Sequence, residues 1–158
     1  MLVKHNLSTT LRLSDSKIRT WKSGKYVVAN GIVEAKTNTN DNFCIICDID
    51  AGQKITGVLS FNVKLYNNSK ISTRDSYGRD LNEFDKPGIY KVKWEPKTSR
   101  SFNIECYCNE IVKFNIDNIV LNKGEELSEV YLPNINTLPT NKQPLLPPEG
   151  NYKEIQPL

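Results

Sequence analysis

The chain is poor in the groups that do covalent chemistry. It holds a single histidine, His5, among 158 residues. That residue falls in a segment expected at the periphery, so a serine or cysteine nucleophile has no imidazole base to pair with and hydrolytic triads are excluded. Glycine is sparse and scattered, with eight in all; none forms a phosphate-cradling loop or a dinucleotide fingerprint, and nucleotide chemistry has no support. Runs of one charge are missing as well. A net charge of +3 without any run of five or more Lys or Arg attracts polyanions only weakly and does not by itself indicate nucleic-acid binding. No segment approaches the roughly 18 consecutive apolar residues of a membrane span, and Met1 to Ser8 lacks the apolar core of a signal peptide. We therefore expect a chain made in a cytosol, without a cofactor and without a membrane or nucleic-acid partner.

Four cysteines are present, Cys44, Cys47, Cys106 and Cys108. In the absence of a secretion signal they read as free thiols rather than as a disulfide framework. Cys44 and Cys47 have a superficial metal-ligand spacing. On a strand, however, residues three apart point to opposite faces, so gripping one zinc ion would require leaving regular geometry. Cys106 and Cys108 share a face with Phe102 and Ile104, which suits small core hydrophobes, with zinc or a disulfide as the alternatives. Paired carboxylates occur at Asp48/Asp50 and Glu125/Glu126. Glycosidases use two carboxylates, but Asp48 and Asp50 precede Ala51-Gly52, where acids commonly make turn hydrogen bonds. Asp48, Asp50 and Asp117 also offer hard oxygen ligands for a structural calcium, though no ligand loop is spelled out. We assign no catalytic residue and no metal site.

What is present is alternation. Gly57, Leu59, Phe61, Val63 and Leu65 form one face of a strand, with Val58, Ser60, Asn62, Lys64 and Tyr66 on the other. Tyr90, Val92 and Trp94 oppose Lys91 and Lys93, and Phe102, Ile104, Cys106 and Cys108 oppose Asn103, Glu105, Tyr107 and Asn109. Lys25 to Ala35 and Phe43 to Ile49 read as two further strands rich in Val, Ile, Phe and Tyr. Val112 to Leu121 supplies a closing strand, and Leu11 to Trp21 is a candidate for another near the start. Helical stripes are absent; the candidates for short helical turns are Asp80 to Phe84 and Glu125 to Ser128. Some seven or eight short strands between Gly, Asn, Asp and Pro turns predict an all-β, jelly-roll-like β-sandwich, with a barrel as the alternative.

The boundaries follow from composition. Residues 1–22 form an N-terminal segment with a candidate first strand, 23–124 the sandwich, and 125–158 an extended proline-rich arm. Pro133, Pro139, Pro144, Pro147, Pro148 and Pro157 bar the arm from a helix or a central strand. Prolines lower the entropy lost on ordering, and Tyr131, Leu132, Ile135, Leu138, Leu145, Leu146 and Tyr152 are the anchors by which the arm would dock onto a neighbouring subunit. A floppy terminus is the alternative. Ligand binding has its own candidates. Sandwiches that hold sugars use exposed aromatic rings with directional polar groups beside them. Outward Tyr66 and Tyr107, together with Arg74 and Tyr77 from the long interior loop Asn67 to Gly88, are the candidate glycan-binding residues; Tyr is also simply a good strand former. Trp21 and Trp94 read as core or rim residues.

The order of Lys54-Ile55-Thr56-Gly57-Val58-Leu59-Ser60-Phe61-Asn62-Val63-Lys64, then Gly88 to Trp94, then Phe102 to Cys106, then Ile116 to Gly124 resembles one known group. It is similar to the carbohydrate-binding-module-type jelly rolls of bacteriophage tail and baseplate proteins from Gram-positive hosts. The likeness runs from about Ser23 to Pro133, with a final apolar strand ending in Leu121-Asn122-Lys123-Gly124 and an exit through Tyr131-Leu132-Pro133. The resemblance implies a non-enzymatic virion component, multimeric in the particle and assembled in host cytoplasm. Its partners would be other tail or baseplate subunits and cell-wall polysaccharide or teichoic acid. The alternative it leaves open is a carbohydrate-binding adhesin module acting directly in host attachment.

Overall fold

The computed structural model describes residues 1–15, 18–21, 25–36, 43–47, 55–75, 80–94, 102–106, 111–132, 134, 138–143 and 146–152. In chain order its strands are β1 (Leu2–Val3), β2 (Ile18–Trp21), β3 (Lys25–Ala29), β4 (Ile32–Lys36), β5 (Phe43–Cys47) and β6 (Gly57–Tyr66). They continue with β7 (Ile71–Asp75), β8 (Asp80–Phe84), β9 (Gly88–Trp94), β10 (Phe102–Cys106), β11 (Val112–Lys123) and β12 (Gly150–Asn151); a 3-10 turn spans Leu13–Asp15. Two five-stranded antiparallel sheets form the body. Sheet I runs β2-β5-β10-β7-β8 and sheet II runs β3-β4-β11-β6-β9, with β1 and β12 as a separate pair. The architecture is a jelly-roll β-sandwich, as the alternation predicts.

Period-two patterning decides which side chains meet between the sheets. On β6 the buried set is Gly57, Leu59, Phe61 and Val63, while Val58, Ser60 and Asn62 alternate with it on the outer side. Phe61 lies edge-on to Phe84 of the opposite sheet, with ring centroids 5.3 Å apart. Phe84 in turn meets Tyr90 at 4.4 Å, again edge to face. These edge-to-face contacts tie the sheets together along the β8 and β9 side, a geometry favoured by the ring quadrupoles. Val33, Phe114, Ile116, Ile119 and Leu121 from sheet II and Ile18 and Ile71 from sheet I complete the core, with Trp94 buried among them. Gly57 has no room for a side chain: a Cβ there would sit 2.3 Å from the carbonyl oxygen of Asn122.

Three sequence expectations need correction. Lys25 to Ala35 is not one strand but a hairpin, because Asn30 and Gly31 adopt φ of 51° and 74° and turn β3 back onto β4. Asn-Gly is the pair that tolerates two successive positive φ values, as a two-residue hairpin turn demands. Asp80 to Phe84 is not a helical turn. It is β8, paired antiparallel with β7 from Ile71↔Phe84 to Arg74↔Asp80, so the expected interior loop Asn67 to Gly88 holds two strands among its described residues. Glu125 to Ser128 bends without forming a helical turn. The segment Leu11 to Trp21 contributes the 3-10 turn and then β2.

The described parts of the arm lie along the chain's own N-terminal segment. The Glu129 N–H donates to the Leu2 carbonyl at 2.9 Å, and the Lys4 N–H donates to Ser128 Oγ at 3.0 Å. Farther on, the His5 N–H donates to Glu149 Oε1 at 2.7 Å, His5 Nε2 donates to the Pro147 carbonyl at 2.7 Å, and the Tyr152 N–H donates to the Met1 carbonyl at 2.6 Å. His5 therefore has a structural role. Among the described residues no helix is long and apolar enough to cross a membrane.

Candidate functional site

β11 is the strand that shapes the outer face of sheet II. From Lys113 to Asp117 it pairs regularly with β6, Lys113 opposite Tyr66 and Asp117 opposite Asn62; the register then shifts before Val120 pairs with Ser60. Asn118, at φ 50°, is the extra residue of this bulge. A bulge bends its strand and re-aims a side chain, and Asn tolerates the positive φ better than most residues. Beyond the bulge β4 no longer flanks β11. The N-terminal segment takes its place: the Leu7 N–H donates to the Leu121 carbonyl at 2.8 Å and the Ile119 N–H to the Leu11 carbonyl at 3.1 Å. Buried Asn6 fixes this junction, donating to the Ile119 carbonyl at 2.9 Å and accepting from the N–H groups of Leu121 and Ser8.

Side chains before the bulge are occupied with one another. Lys64 Nζ stands 2.6 Å from Asp117 Oδ2, Asn62 Nδ2 donates to Asp117 Oδ1 at 3.0 Å, and Lys113 Nζ stands 3.2 Å from Glu34 Oε2. Burial pushes the Asp117 carboxyl up. Hydrogen bonds from Lys64 and Asn62 and the charges of Lys64 and Arg12 outweigh it, so Asp117 titrates below the usual aspartate range. The Lys64 ammonium is held above its ordinary value, by the hydrogen bond to Asp117 first and its charge second. This end of the face is internally neutralised.

At and beyond the bulge the same face opens. A depression of about 430 Å³ is lined by Ser60, Asn62, Ile89, Asn118, Val120 and Tyr131. Ile89 is 77% exposed and Tyr131 54% exposed, so an aliphatic side chain and an aromatic ring stand beside two amides in a concave setting. A second recess, of about 810 Å³, lies at the ends of β6, β9 and β11 and is lined by Thr56, Gly57, Val58, Lys91, Lys93, Lys123 and Glu125 among others.

The structure distributes the sequence-predicted residues unevenly. Tyr66 is exposed at the end of β6, beside the Lys113–Glu34 pair. Arg74 lies on β7 in the other sheet, so the two do not share a face. Tyr77 and Tyr107 lie outside the described residues, as do Ile135 and Leu145 of the arm and Asp48 and Asp50. The side chains of Cys44, Cys47 and Cys106, and all of Cys108, are likewise outside them. Among the other arm residues Leu132 is buried, Leu138 and Leu146 are half-buried, and Tyr152 is exposed with its hydroxyl donating to the Pro148 carbonyl. Tyr131, read from sequence as a docking anchor, is the ring that walls the depression. Ile89 and Asn118 were missed. Asn118 carried a signal, since a residue tolerant of positive φ inside an apolar strand marks a bulge; Ile89 carried one as well, since alternation puts it on the face of Lys91 and Lys93, but its place beside Asn118 and Tyr131 depends on pairing with β6. Among the described residues no three His, Cys, Asp or Glu side chains converge to hold a metal ion.

With this geometry in view, the comparisons with known proteins bear on the fold. No protein-family model matches the chain, and no curated protein does. Solved structures do match. A mutant of a family 29 carbohydrate-binding module superposes with a TM-score of 0.54 at 12% identity, over 82% of this chain and 98% of the module. A second mutant of that module, complexed with cellulohexaose, gives 0.52 at 13% identity over 79% and 91%. A third family 29 mutant gives 0.53 at 12% identity over 73% and 88%. The chain thus has a distant jelly-roll fold of the family 29 carbohydrate-binding type; identity this low speaks to the fold alone.

Proposed function

We propose that the chain is a non-catalytic carbohydrate-binding module that takes up glycan on the outer face of sheet II, in the depression between Ile89 and Tyr131. The observation that carries this reading is the depression itself: an exposed ring and an exposed aliphatic side chain beside Asn62 and Asn118. Pyranose rings have apolar C–H faces and a rim of hydroxyls. They are held by an aromatic surface against the first and by amides, which both donate and accept, against the second. Asp117 positions the Asn62 amide by accepting from its Nδ2, which leaves the Asn62 carbonyl oxygen and a second N–H for a ligand. The likeness to carbohydrate-binding modules supports the fold on which such a face is displayed. The test is binding to immobilised polysaccharide by the wild type and by Tyr131→Ala. Loss of binding with an unchanged melting temperature is expected; equal binding by the variant overturns the assignment of the depression.

The residue pattern from Ser23 to Pro133 supports a finer reading, a virion tail or baseplate component, in which exposed Tyr152 contacts a neighbouring subunit. Incorporation of Tyr152→Ala into particles at the wild-type level would remove that contact from the account.

A further inference from the structure

The ring that walls the depression is carried by an irregular piece of chain. The other residues lining the hollow stand on β6, β9 or β11, whereas Tyr131 belongs to no strand. A side chain on a sheet is placed by the ladder of hydrogen bonds beneath it. One on irregular chain has to be placed by other contacts, or the ligand must order it on arrival and loses affinity in doing so.

The Ser128 hydroxyl closes a turn immediately ahead of Tyr131. Its Oγ accepts from the Val130 N–H at 3.3 Å and donates to the Val130 carbonyl at 2.7 Å, so one atom holds both backbone polar groups of the residue before the ring. The same oxygen accepts from the Lys4 N–H at 3.0 Å. These three bonds use the one proton and both lone pairs of the hydroxyl, which leaves it no capacity to bind a ligand itself. The turn is tethered in its own right. The Ser128 N–H donates at 2.9 Å to Oδ1 of Asn122, a fully buried residue of β11 whose Nδ2 donates to the His5 carbonyl at 3.0 Å. Next to it the Glu129 N–H donates to the Leu2 carbonyl at 2.9 Å, and Glu129 Oε2 accepts from the Leu2 N–H at 3.1 Å. On the far side of the ring the Leu132 side chain is buried. Tyr131 is therefore held from both directions.

The same turn occurs once more in the N-terminal segment. There Ser8 Oγ donates to the Thr10 carbonyl at 2.7 Å and accepts from the Thr10 N–H at 3.2 Å, and the residue that follows, Leu11, offers its carbonyl to the Ile119 N–H. That copy delivers a backbone group to the sheet. The Ser128 copy delivers an exposed ring to a hollow.

We infer that Ser128 is the positioning residue of the proposed glycan site: its hydroxyl holds Tyr131 over the depression before any ligand arrives, without touching the ligand. The inference rests on the carbohydrate-binding reading above. It also makes the backbone of Leu2 to Lys4 a remote support of the site, since Ser128 and Glu129 are both anchored there.

The test is a double-mutant cycle on the full chain. Wild type, Ser128→Ala, Tyr131→Ala and the double variant are titrated calorimetrically with cellohexaose and with mannohexaose, with Ser128→Thr as the conservative control, and each is melted. Ser128→Ala should bind about fivefold more weakly, a smaller loss than removal of the ring, while Ser128→Thr keeps the hydroxyl and should bind within about twofold of wild type. In the Tyr131→Ala background the serine substitution should leave affinity unchanged, although it lowers the melting temperature in both backgrounds. Without ligand, ¹⁵N relaxation should give the Tyr131 amide an order parameter of about 0.85 in wild type and below about 0.6 in Ser128→Ala. Equal affinity losses from Ser128→Ala in the two backgrounds, or affinity unchanged by it, overturn this inference and leave the carbohydrate-binding reading standing. An order parameter that does not move on the substitution overturns the positioning itself, whatever the ligand. Absence of wild-type binding to both hexaoses overturns the carbohydrate-binding reading and the affinity role of Ser128 with it. Ser128 is only half-buried, and circular dichroism establishes that the variants remain folded.

Discussion

The two halves of β11 belong to one strand and one sheet, yet they differ in what their outer side chains do. Before Asn118 the strand is flanked by β4 and β6, and the outer groups pair across strands: Lys64 and Asn62 with Asp117, Lys113 with Glu34. After Asn118 the flanking chain is the N-terminal segment and the outer surface sinks into a depression. One inserted residue separates a stretch whose outer polar groups pair with one another from a stretch that opens into a hollow. The lesson is that exposure of an aromatic ring on this sheet does not identify the site; Tyr66 is exposed on the satisfied half and Tyr131 on the open one.

The contrast can be broken most severely at Asn6. Its amide serves Ile119, Leu121 and Ser8 at once, in a buried setting, so Asn6→Ala leaves several buried groups unpaired. A loss of about 2–4 kcal/mol is expected. Chemical denaturation measures it, and hydrogen exchange should show the Leu121 amide losing more protection than Val112 to Phe114. A uniform loss along β11 would contradict the separation of the two halves.

Next in size is Tyr131→Ala, which removes the ring over the depression without touching the core. Glycan affinity should fall about tenfold, equivalent to about 1.4 kcal/mol, while the melting temperature stays within a degree or two of wild type, as expected for an exposed side chain. Tyr66→Ala, the matched change on the satisfied half, should leave affinity unaltered.

Asn118 sharpens the comparison at the boundary. Its φ of 50° suits glycine, so Asn118→Gly should keep stability within about 0.5 kcal/mol of wild type. Affinity should drop a few-fold through loss of the amide. Asn118→Val, which opposes that backbone conformation, should cost about 1 kcal/mol or more.

The smallest effect is expected at the ion pair. Because the folded Asp117 carboxyl titrates below its unfolded value, its contribution is fully present above about pH 4 and is lost as the pH falls through the folded value. Lys64→Met should let the Asp117 carboxyl titrate at higher pH, read by NMR of the side-chain carbon. Its effect on the melting temperature at neutral pH should be smaller than any of the changes above, since the lysine is half exposed and its charge is screened.

How much of this could be read in advance depends on the range of the interactions involved. The inner and outer sets of β6 and β9 were legible because period two is a local property, and the jelly-roll class followed from it. The β3–β4 hairpin was legible too, through Asn30-Gly31, although Lys25 to Ala35 reads as one strand if hydrophobicity alone is followed. β8 was hidden: Asp80-Leu81-Asn82-Glu83-Phe84 is short and mostly polar, and what makes it a strand is pairing with β7. The site was mostly illegible. Tyr131 lies eleven residues beyond its neighbour Val120 in sequence, and its position over Ser60 and Asn62 is a tertiary fact no local pattern encodes. The arm's proline content was visible, but its course along Met1 to His5 depends on hydrogen bonds between segments more than a hundred residues apart.

The central claim is that the open half of the sheet II face is where this protein meets its ligand. An ¹⁵N-labelled sample titrated with soluble oligosaccharides tests it residue by residue. The account predicts amide shifts confined to Ser60 to Asn62, Ile89, Asn118 to Val120 and Tyr131, with Tyr66 and Lys113 unmoved. Shifts centred on Tyr66 and Lys113, or on the strands of sheet I, would contradict it.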